Sequence, residues 1–323
     1  MVLQICHDLL LNGQRARQRE LWYRLKGREL FSSPRDVAEA VADAASLLAV
    51  PRAALGVTCS SKGLVAGALT IHDRGGGPEV DCARAGGGGG HPIPGDTAAI
   101  ARYDFQTEAA FVLVVEKDTV LARLAQEGLP AAGPCILVTG RGFPDLGTRA
   151  FLVALHAACP ALPLLGLADW NPSGASILGL YRFGGRGSEE AAACALPTLR
   201  WLGARACMLE EAAAGDFQVR LAGEGCIKPS SGTGKGPLRL AYPGVRAAAS
   251  AHPAAPPQEL TPRDQAVLGN LRASLADTAP AWADELGRMG AAGVKAELEA
   301  VAEGSGRTLS EVVLAAVEAE DWL

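Results

Sequence analysis

The sequence predicts an α/β protein: a parallel β-sheet sandwiched by helices, preceded by a segment of helix-turn-helix or winged-helix outline and followed by more helices. Three observations carry this reading. Residues 109–115, 135–139 and 164–168 are short, uninterrupted apolar runs, and each leads into a helical stretch, residues 119–127, 148–159 and 173–183. Strands that are apolar throughout are buried on both faces, and parallel neighbours need a crossover, so this alternation folds into a sheet covered by helices. Residues 2–48 show helical periodicity broken by short turns, with basic residues gathered on the second helical stretch.

Residues 2–11 place apolar side chains at helical spacing, and Asn12-Gly13 ends the run. Residues 17–25 restart as a short helix with Leu21, Trp22 and Leu25 available to pack. Helix, brief turn and basic second helix give the winged-helix outline. Phe31-Ser32-Ser33-Pro34 reads as a helix start, with serine as cap and proline in the first turn. An amphipathic helix over residues 36–48 follows, carrying Val37, Ala40, Val41, Ala44, Ala45 and Leu48. Residues 55–59 read as a strand, and residues 62–69 as a turn into a second strand, a wing. Residues 74–95 collapse towards glycine, with Gly86 to Gly90 uninterrupted, and read as a flexible insert at a domain boundary or hairpin tip. The expected division is a winged-helix unit over residues 1–100 and a sheet unit with a helical C-terminal extension over residues 101–323. Residues 199–203 look like a further sheet element. Residues 223–237 and 243–262 are loop-rich, and Thr261-Pro262-Arg263-Asp264 starts a helical region that runs to Leu323.

A length of 323 residues accommodates two domains, and a hydrophobic content of 49% provides a core. No run reaches the roughly 18–20 apolar residues of a membrane span. No signal peptide opens the chain, so the expectation is a soluble, intracellular protein with no membrane partner. The eight cysteines are scattered without a CxxC pair, which argues against a zinc ribbon or a disulfide framework. A net charge of −5 does not advertise a nucleic-acid binder, but its distribution matters more than its sum. Nine acids against three bases lie in residues 281–323, whereas residues 14–28 hold Arg15, Arg17, Arg19, Arg24, Lys26 and Arg28 against Glu20 alone. That run is either a solvated helix face or a surface that neutralises phosphates.

In open α/β sheets ligands sit beyond the carboxyl ends of the strands. Glu116, the Gly140-Arg141-Gly142 turn and Asp169-Trp170-Asn171 all fall there. Glu116, Asp169 and Asn171 offer hard oxygen ligands of the kind magnesium takes alongside water and phosphate. Acids at those positions could equally cap helices. Gly232-Thr233-Gly234-Lys235-Gly236 fails as a phosphate loop, because Pro229 stands where the first glycine belongs and Gly236 where Ser or Thr belongs. Of the four tyrosines, Tyr23 lies among cations. A phenol of pKa about 10 needs a base or a cationic field to act as a nucleophile, and Arg19, Arg24 and Lys26 could supply the field. Core packing beside Trp22 is the competing account. The five histidines show no ligand spacing.

Taken together, these motifs resemble one family. Arg19-Glu20-Leu21-Trp22-Tyr23 looks like the Arg-Asp-Ile-Tyr-Tyr motif shared by the A subunits of topoisomerase VI and the meiotic Spo-eleven type double-strand-break proteins. The resemblance continues through Leu30-Phe31, Ser61-Lys62-Gly63-Leu64-Val65-Ala66-Gly67, Val115-Glu116-Lys117 and Thr139-Gly140-Arg141-Gly142-Phe143-Pro144-Asp145. Asp169-Trp170-Asn171-Pro172, Tyr181-Arg182-Phe183-Gly184 and Trp201-Leu202-Gly203 extend it in the family's order. It covers most of residues 5–203 and is weaker from Leu260 onward. It implies a CAP-like winged-helix domain followed by a Toprim domain, with Tyr23 as nucleophile and Arg19 beside it. It also implies Mg²⁺ on Glu116, Asp169 and Asn171, and double-stranded DNA held by Arg15, Arg24, Lys26, Lys62 and Arg141. The resemblance further implies a nuclear location and a homodimer that works with a topoisomerase VI B-like subunit, making DNA double-strand breaks that leave a 5′-phosphotyrosyl link. Two departures stand out. Asn171 replaces the second acid of an Asp-x-Asp pair, and Glu20 replaces an aspartate. The alternatives are a strand-passing A subunit of topoisomerase VI and a DNA-binding paralogue without cleavage.

Overall fold

The computed structural model describes residues 1–28, 30–84, 89–185, 189–216 and 256–323. Helix α1 (Val2–Leu11), strand β1 (Ala16–Arg17), helix α2 (Gln18–Leu25) and helix α3 (Pro34–Leu47) open the chain. The apolar spacing read in the sequence turns Val2, Cys6 and Leu9 of α1, Leu21 and Leu25 of α2, and Val37, Val41 and Ala44 of α3 into one cluster. The start of α3 is fixed by a capping box. The Ser33 side chain accepts from the Asp36 N–H, the Asp36 carboxylate accepts from the Ser33 N–H, and Pro34 lies in the first turn. A 3-10 turn, Arg52–Leu55, leads into strand β2 (Val57–Thr58), which pairs in parallel with β1.

The wing expected over residues 62–69 is not part of this small ribbon. Strand β3 (Leu64–Gly67) runs antiparallel to a strand of the large sheet, with Leu64 opposite Thr139 and Gly67 opposite Ile136. All four of its residues are buried, which a solvent-facing wing does not require. Strands β4 (Thr70–Asp73) and β5 (Val80–Asp81), strand β6 (His91–Pro92), helix α4 (Thr97–Ile100) and strand β7 (Tyr103–Gln106) follow. β5, β4 and β7 form a three-stranded antiparallel sheet, and β6 pairs with β3. The glycine-rich stretch therefore contains two strands rather than only an insert, and residues 85–88 of its glycine run lie outside the described residues.

The strand–helix alternation then appears as the sequence predicts: β8 (Phe111–Val115), α5 (Asp118–Gln126), α6 (Leu129–Ala132), β9 (Cys135–Thr139), α7 (Leu146–Ala158), β10 (Leu164–Leu167), α8 (Pro172–Phe183), α9 (Glu189–Ala193), β11 (Arg200–Gly203) and α10 (Ala206–Asp216). The six-stranded sheet has the order β11-β10-β8-β9-β3-β6, and β8 to β11 are mutually parallel. Every residue of β8, β9 and β10 is buried. Burying a Val, Leu or Ile side chain fully contributes about 1.5–3 kcal/mol, so these three strands anchor the core.

The C-terminal part comprises strand β12 (Gln258–Glu259), helices α11 (Pro262–Leu275) and α12 (Pro280–Ala292), strand β13 (Val294–Lys295), and helices α13 (Leu298–Ser305) and α14 (Leu309–Glu318). The helix start expected at Thr261-Pro262-Arg263-Asp264 is that of α11, and Thr261 and Asp264 close it with a capping box. Trp282 of α12 packs edge-on against Trp201 of β11, with ring centroids 5.3 Å apart, and the sheet and these helices share one hydrophobic cluster. The loop-rich residues 223–237, including Gly232 to Gly236, and residues 243–255 lie outside the described residues, as do Cys226, Tyr242 and His252. No helix among the described residues is long and apolar enough to cross a membrane.

Candidate active site

The register of the sheet brings three strand ends level. Val115 of β8 is opposite Thr139 of β9 on one side and Leu167 of β10 on the other. The residues that leave these strands, Glu116, Gly140 and Ala168-Asp169, therefore emerge side by side at the spacing of adjacent strands, about 4.8 Å. Glu116 Oε2 accepts from the Asp169 N–H at 3.1 Å, and the Glu116 carbonyl accepts from the Gly142 N–H at 2.8 Å and from Thr139 Oγ1 at 3.1 Å. Arg141 (φ 54°) and Gly142 (φ 85°) are both left-handed, and this folds the Gly140-Arg141-Gly142 turn back onto Glu116.

Asp169 is 3% exposed. Its Oδ2 lies 2.8 Å from Lys117 Nζ, and its Oδ1 accepts from the Leu298 N–H at 3.1 Å. Asp169 therefore does meet the first turn of a helix, but that helix is α13, brought from the far end of the chain. Asn171 caps α8: its Oδ1 accepts from the Gly174 N–H at 2.7 Å. Between them, Trp170 pairs through its backbone with Ala296 and donates its indole N–H to Glu285 Oε1 at 2.8 Å.

Burial raises the pKa of Glu116, and the neighbouring charge of Asp169 raises it further. The Asp169 N–H and Lys117 pull in the opposite direction without cancelling the rise. Burial would lower the pKa of Lys117, but its bond to Asp169 outweighs that, and the net shift is upward. The charge of Glu299, on α13, reaches both Glu116 and Lys117, and its Oε2 is buried without a hydrogen-bond partner. Two buried carboxylates, a third acid with an orphaned oxygen and a single ammonium leave excess negative charge in a low-dielectric site. Hard oxygen donors with excess negative charge fit a magnesium ion. Among the described residues no three His, Cys, Asp or Glu side chains form a complete metal cage. Mg²⁺ takes one or two carboxylates and completes its shell with water and phosphate, a donor set that Glu116 and Asp169 could supply.

Tyr23 is on α2 and is 59% exposed, so it is not a core residue. The Arg19 guanidinium, one turn earlier, lies 5.9 Å from its ring centroid. Tyr23, Arg19 and Lys62 line a cavity of about 700 Å³ together with Arg17, Arg52, Asp145 and Arg149. Neither Glu116 nor Asp169 lines that cavity. The other expected DNA-contacting bases lie elsewhere. Arg15 pairs with Asp96, Arg24 with Glu20 at 2.5 Å, Arg141 with Asp118 at 3.2 Å, and Lys26 is exposed at the end of α2. The structure adds Lys117, Glu299, Glu285, Arg52 and Arg149 to the residues that sequence reasoning named. Two left a signal in the sequence: Lys117 directly follows Glu116, and Arg149 is an isolated charge in an apolar helix. The remaining three join through distant pairing.

Comparison with known proteins agrees with this geometry. Residues 111–219 match the Toprim-domain model of the topoisomerase 6 A-subunit/Spo11 family, and residues 1–57 match the type IIB DNA topoisomerase model. The chain is 37% identical over 206 residues to meiotic recombination protein SPO11-2 of Arabidopsis thaliana, covering 63% of this chain and 53% of that protein. It is 34% identical over 211 residues to the A subunit of DNA topoisomerase 6 from the same plant, covering 65% and 48%. It thus spans about half the length of these relatives. Against meiotic recombination protein SPO11-1 of Arabidopsis thaliana it is 31% identical over 314 residues, which is 97% of this chain and 75% of that protein. With a Toprim-type parallel sheet, an N-terminal match to type IIB topoisomerases and a relative aligned along almost its whole length, the chain belongs to the topoisomerase 6 A-subunit/Spo11 family.

Proposed function

We propose that this protein breaks both strands of DNA by tyrosyl transesterification to initiate meiotic recombination. The observation that carries the reading is the pairing of an exposed tyrosine on a basic helix with a buried Glu116–Asp169 pair at the strand ends of a Toprim sheet. In the proposed reaction Tyr23 Oη attacks a backbone phosphorus, giving up its proton. A phosphotyrosyl bond to the 5′ end forms, the bond from phosphorus to the 3′ oxygen breaks, and that oxygen leaves as a protonated 3′-hydroxyl. Arg19, beside the Tyr23 ring, would meet the charge developing on the phosphate oxygens. Glu116 and Asp169 would hold magnesium, whose chemistry is charge stabilisation and orientation of the phosphodiester. The oxygen of Asn171 is already engaged as a helix cap, so its contribution to that ion is secondary.

Because the Tyr23 cavity contains neither acid, the reading pairs the tyrosine of one protomer with the acids of its partner in a homodimer. The N-terminal helices, as a winged-helix-type unit, would carry the tyrosine onto duplex DNA through Arg15, Arg24, Lys26 and Lys62, with Arg141 at the strand ends. Two such attacks, one per strand, give the double-strand break. A nuclear location and a B-like partner subunit complete the proposal. The similarity to SPO11-2 proteins supports the break-forming reading; strand passage with an ATPase subunit is the alternative, and dependence on an ATP-hydrolysing partner tells the two apart.

Covalent capture tests the proposal. Protein is recovered from meiotic cells under denaturing conditions, any attached DNA is end-labelled, and wild type is compared with Tyr23→Phe. Label that vanishes in the variant supports the transesterase. If the wild type carries no label while an active relative does so in the same assay, the protein is a DNA-binding paralogue.

A further inference from the structure

The cavity beside Tyr23 is more basic than one nucleophile requires, and its deepest member is unusual. Arg149, on α7, is 6% exposed. One terminal nitrogen, Nη1, donates to the Ala191 carbonyl at 2.9 Å, while Nε is buried with no hydrogen-bond partner. No carboxylate pairs with Arg149 among the described residues. Leaving a buried charged donor unpaired is costly, and such a group calls for an acceptor from outside the chain: water, an ion or a ligand.

The surroundings identify the class of ligand. Arg17, Arg19, Arg52, Lys62 and Arg149 line the cavity, against Asp145 as the single acid among the described lining residues. Asp145 is outnumbered, and its oxygens are turned to local neutral donors rather than to a guanidinium or ammonium. Oδ1 accepts from Thr148 N–H and Oγ1 at 2.8 and 2.7 Å, and Oδ2 accepts from the Lys62 N–H at 2.8 Å. Arg52 is held in place from both sides, by Glu190 at 2.7 Å and Gln18 at 3.0 Å, so the basic wall is preorganised. Burial and the nearby charge of Arg52 both lower the pKa of Arg149, which is the electrostatic stress an anion relieves. A planar guanidinium with a free donor matches the oxygens of a phosphate.

We infer that this cavity is a second phosphate site, in which Arg149, with Arg17 at the rim, holds a DNA backbone phosphate next to the one presented to Tyr23. The inference rests on the reading of Tyr23 as a nucleophile towards DNA. Gripping the neighbouring phosphate fixes the register of the strand across the tyrosine, so Arg149 binds substrate without touching the reacting atoms.

The test uses the full chain carrying Tyr23→Phe, so that DNA binds uncleaved. The dissociation constant for a short duplex is measured across a salt series for this parent and for added Arg149→Met or Arg17→Met. Removing one cation that neutralises a phosphate lowers the slope of log K against log salt by about 0.9. Arg149→Met is expected to show that drop and about tenfold weaker binding, in keeping with a charged hydrogen bond. Inorganic phosphate serves as the second probe. It should raise the melting temperature of the parent above that in chloride of equal ionic strength, and the increment should vanish in either variant. Arg17 is exposed, so Arg17→Met keeps the test standing if Arg149→Met does not fold. An unchanged salt slope and an unchanged phosphate increment in the folded variants overturn the assignment while leaving the transesterase reading intact. A parent that does not bind duplex at all overturns both.

Discussion

Glu285 is one of the residues through which the C-terminal helices reach the strand-end site, and its removal has a calculable effect. Its Oε1 accepts from the Trp170 indole N–H at 2.8 Å and from the Ala206 N–H at 2.6 Å, and all three residues are essentially buried. Glu285→Leu conserves volume but leaves both donors without a partner. A buried donor left unsatisfied costs about 1–3 kcal/mol, so the pair costs about 2–6 kcal/mol. Glu285→Gln keeps the acceptor and loses only its charge, reducing two charge-assisted bonds to neutral ones at about 1–2 kcal/mol in total. Urea unfolding near neutral pH reads this order through the midpoint, with the slope unchanged. Because Trp170 lies between Asp169 and Asn171, Mn²⁺ affinity should fall in the same order. Equal midpoints for Glu285→Leu and wild type would refute the argument. Equal losses in the two variants would transfer the effect from hydrogen bonding to charge, with Arg205 the nearby cation.

Two further predictions concern Glu116 and Asn171. The folded pKa of Glu116 is raised, so the folded state holds this proton more tightly than the unfolded state does. The ionised side chain then costs stability that is absent below the ordinary carboxylate pKa, grows as pH rises, and is complete above the folded value. Glu116→Gln should therefore raise the urea midpoint at about pH 7 but not below about pH 4, while removing most of the stabilisation by Mg²⁺; a lower midpoint at neutral pH would contradict it. Asn171→Asp should tighten Mg²⁺ binding and its effect on melting temperature, and an unchanged metal titration would show that position 171 does not face the ion.

What could be read from the sequence was local or periodic. The buried strands β8, β9 and β10 announced themselves as continuous apolar runs, and the rule that ligands gather at carboxyl ends led directly to Glu116 and Asp169. The helix starts at Ser33-Pro34 and Thr261-Pro262 are visible as residue order, whereas the reciprocal bonds of Asp36 and Asp264 belong to the structure. Strand β3 was misassigned because the apolar run at residues 64–69 suits either a wing or a strand of the main sheet. Its partner, β9, lies about 70 residues away, and periodicity says nothing about which edge a strand joins. The bracing of the site was invisible for the same reason. Leu298 reaches Asp169 across 129 positions and Glu285 reaches Trp170 across 115, and no local pattern encodes such contacts. Lys117 was in view but unread, because only the fold shows that its ammonium lies on the carboxylate of the neighbouring strand.

Position 171 joins these two levels. A helix that starts immediately after a strand needs a capping oxygen at its first residue, and a metal site at the same strand end needs an oxygen that faces outward. An aspartate has two oxygens and can serve both. Asparagine has one, and here it accepts from the Gly174 N–H. The amide nitrogen that remains is a donor and cannot ligate a cation. The start of α8 is thereby kept: Gly174 is itself so close to the Asp169 carbonyl that a side-chain carbon there would lie 2.4 Å from it. Relative to an aspartate, what is given up is one negative charge at the strand end. The orphaned Glu299 oxygen and the charge that Glu299 exerts on Glu116 and Lys117 come from α13, whose first residue, Leu298, is bonded to Asp169. The C-terminal helices thus both hold the strand end in place and restore negative potential around it. On the proposed reading, the strand end therefore keeps the negative potential a cation would meet, despite one acid fewer than the family's motif.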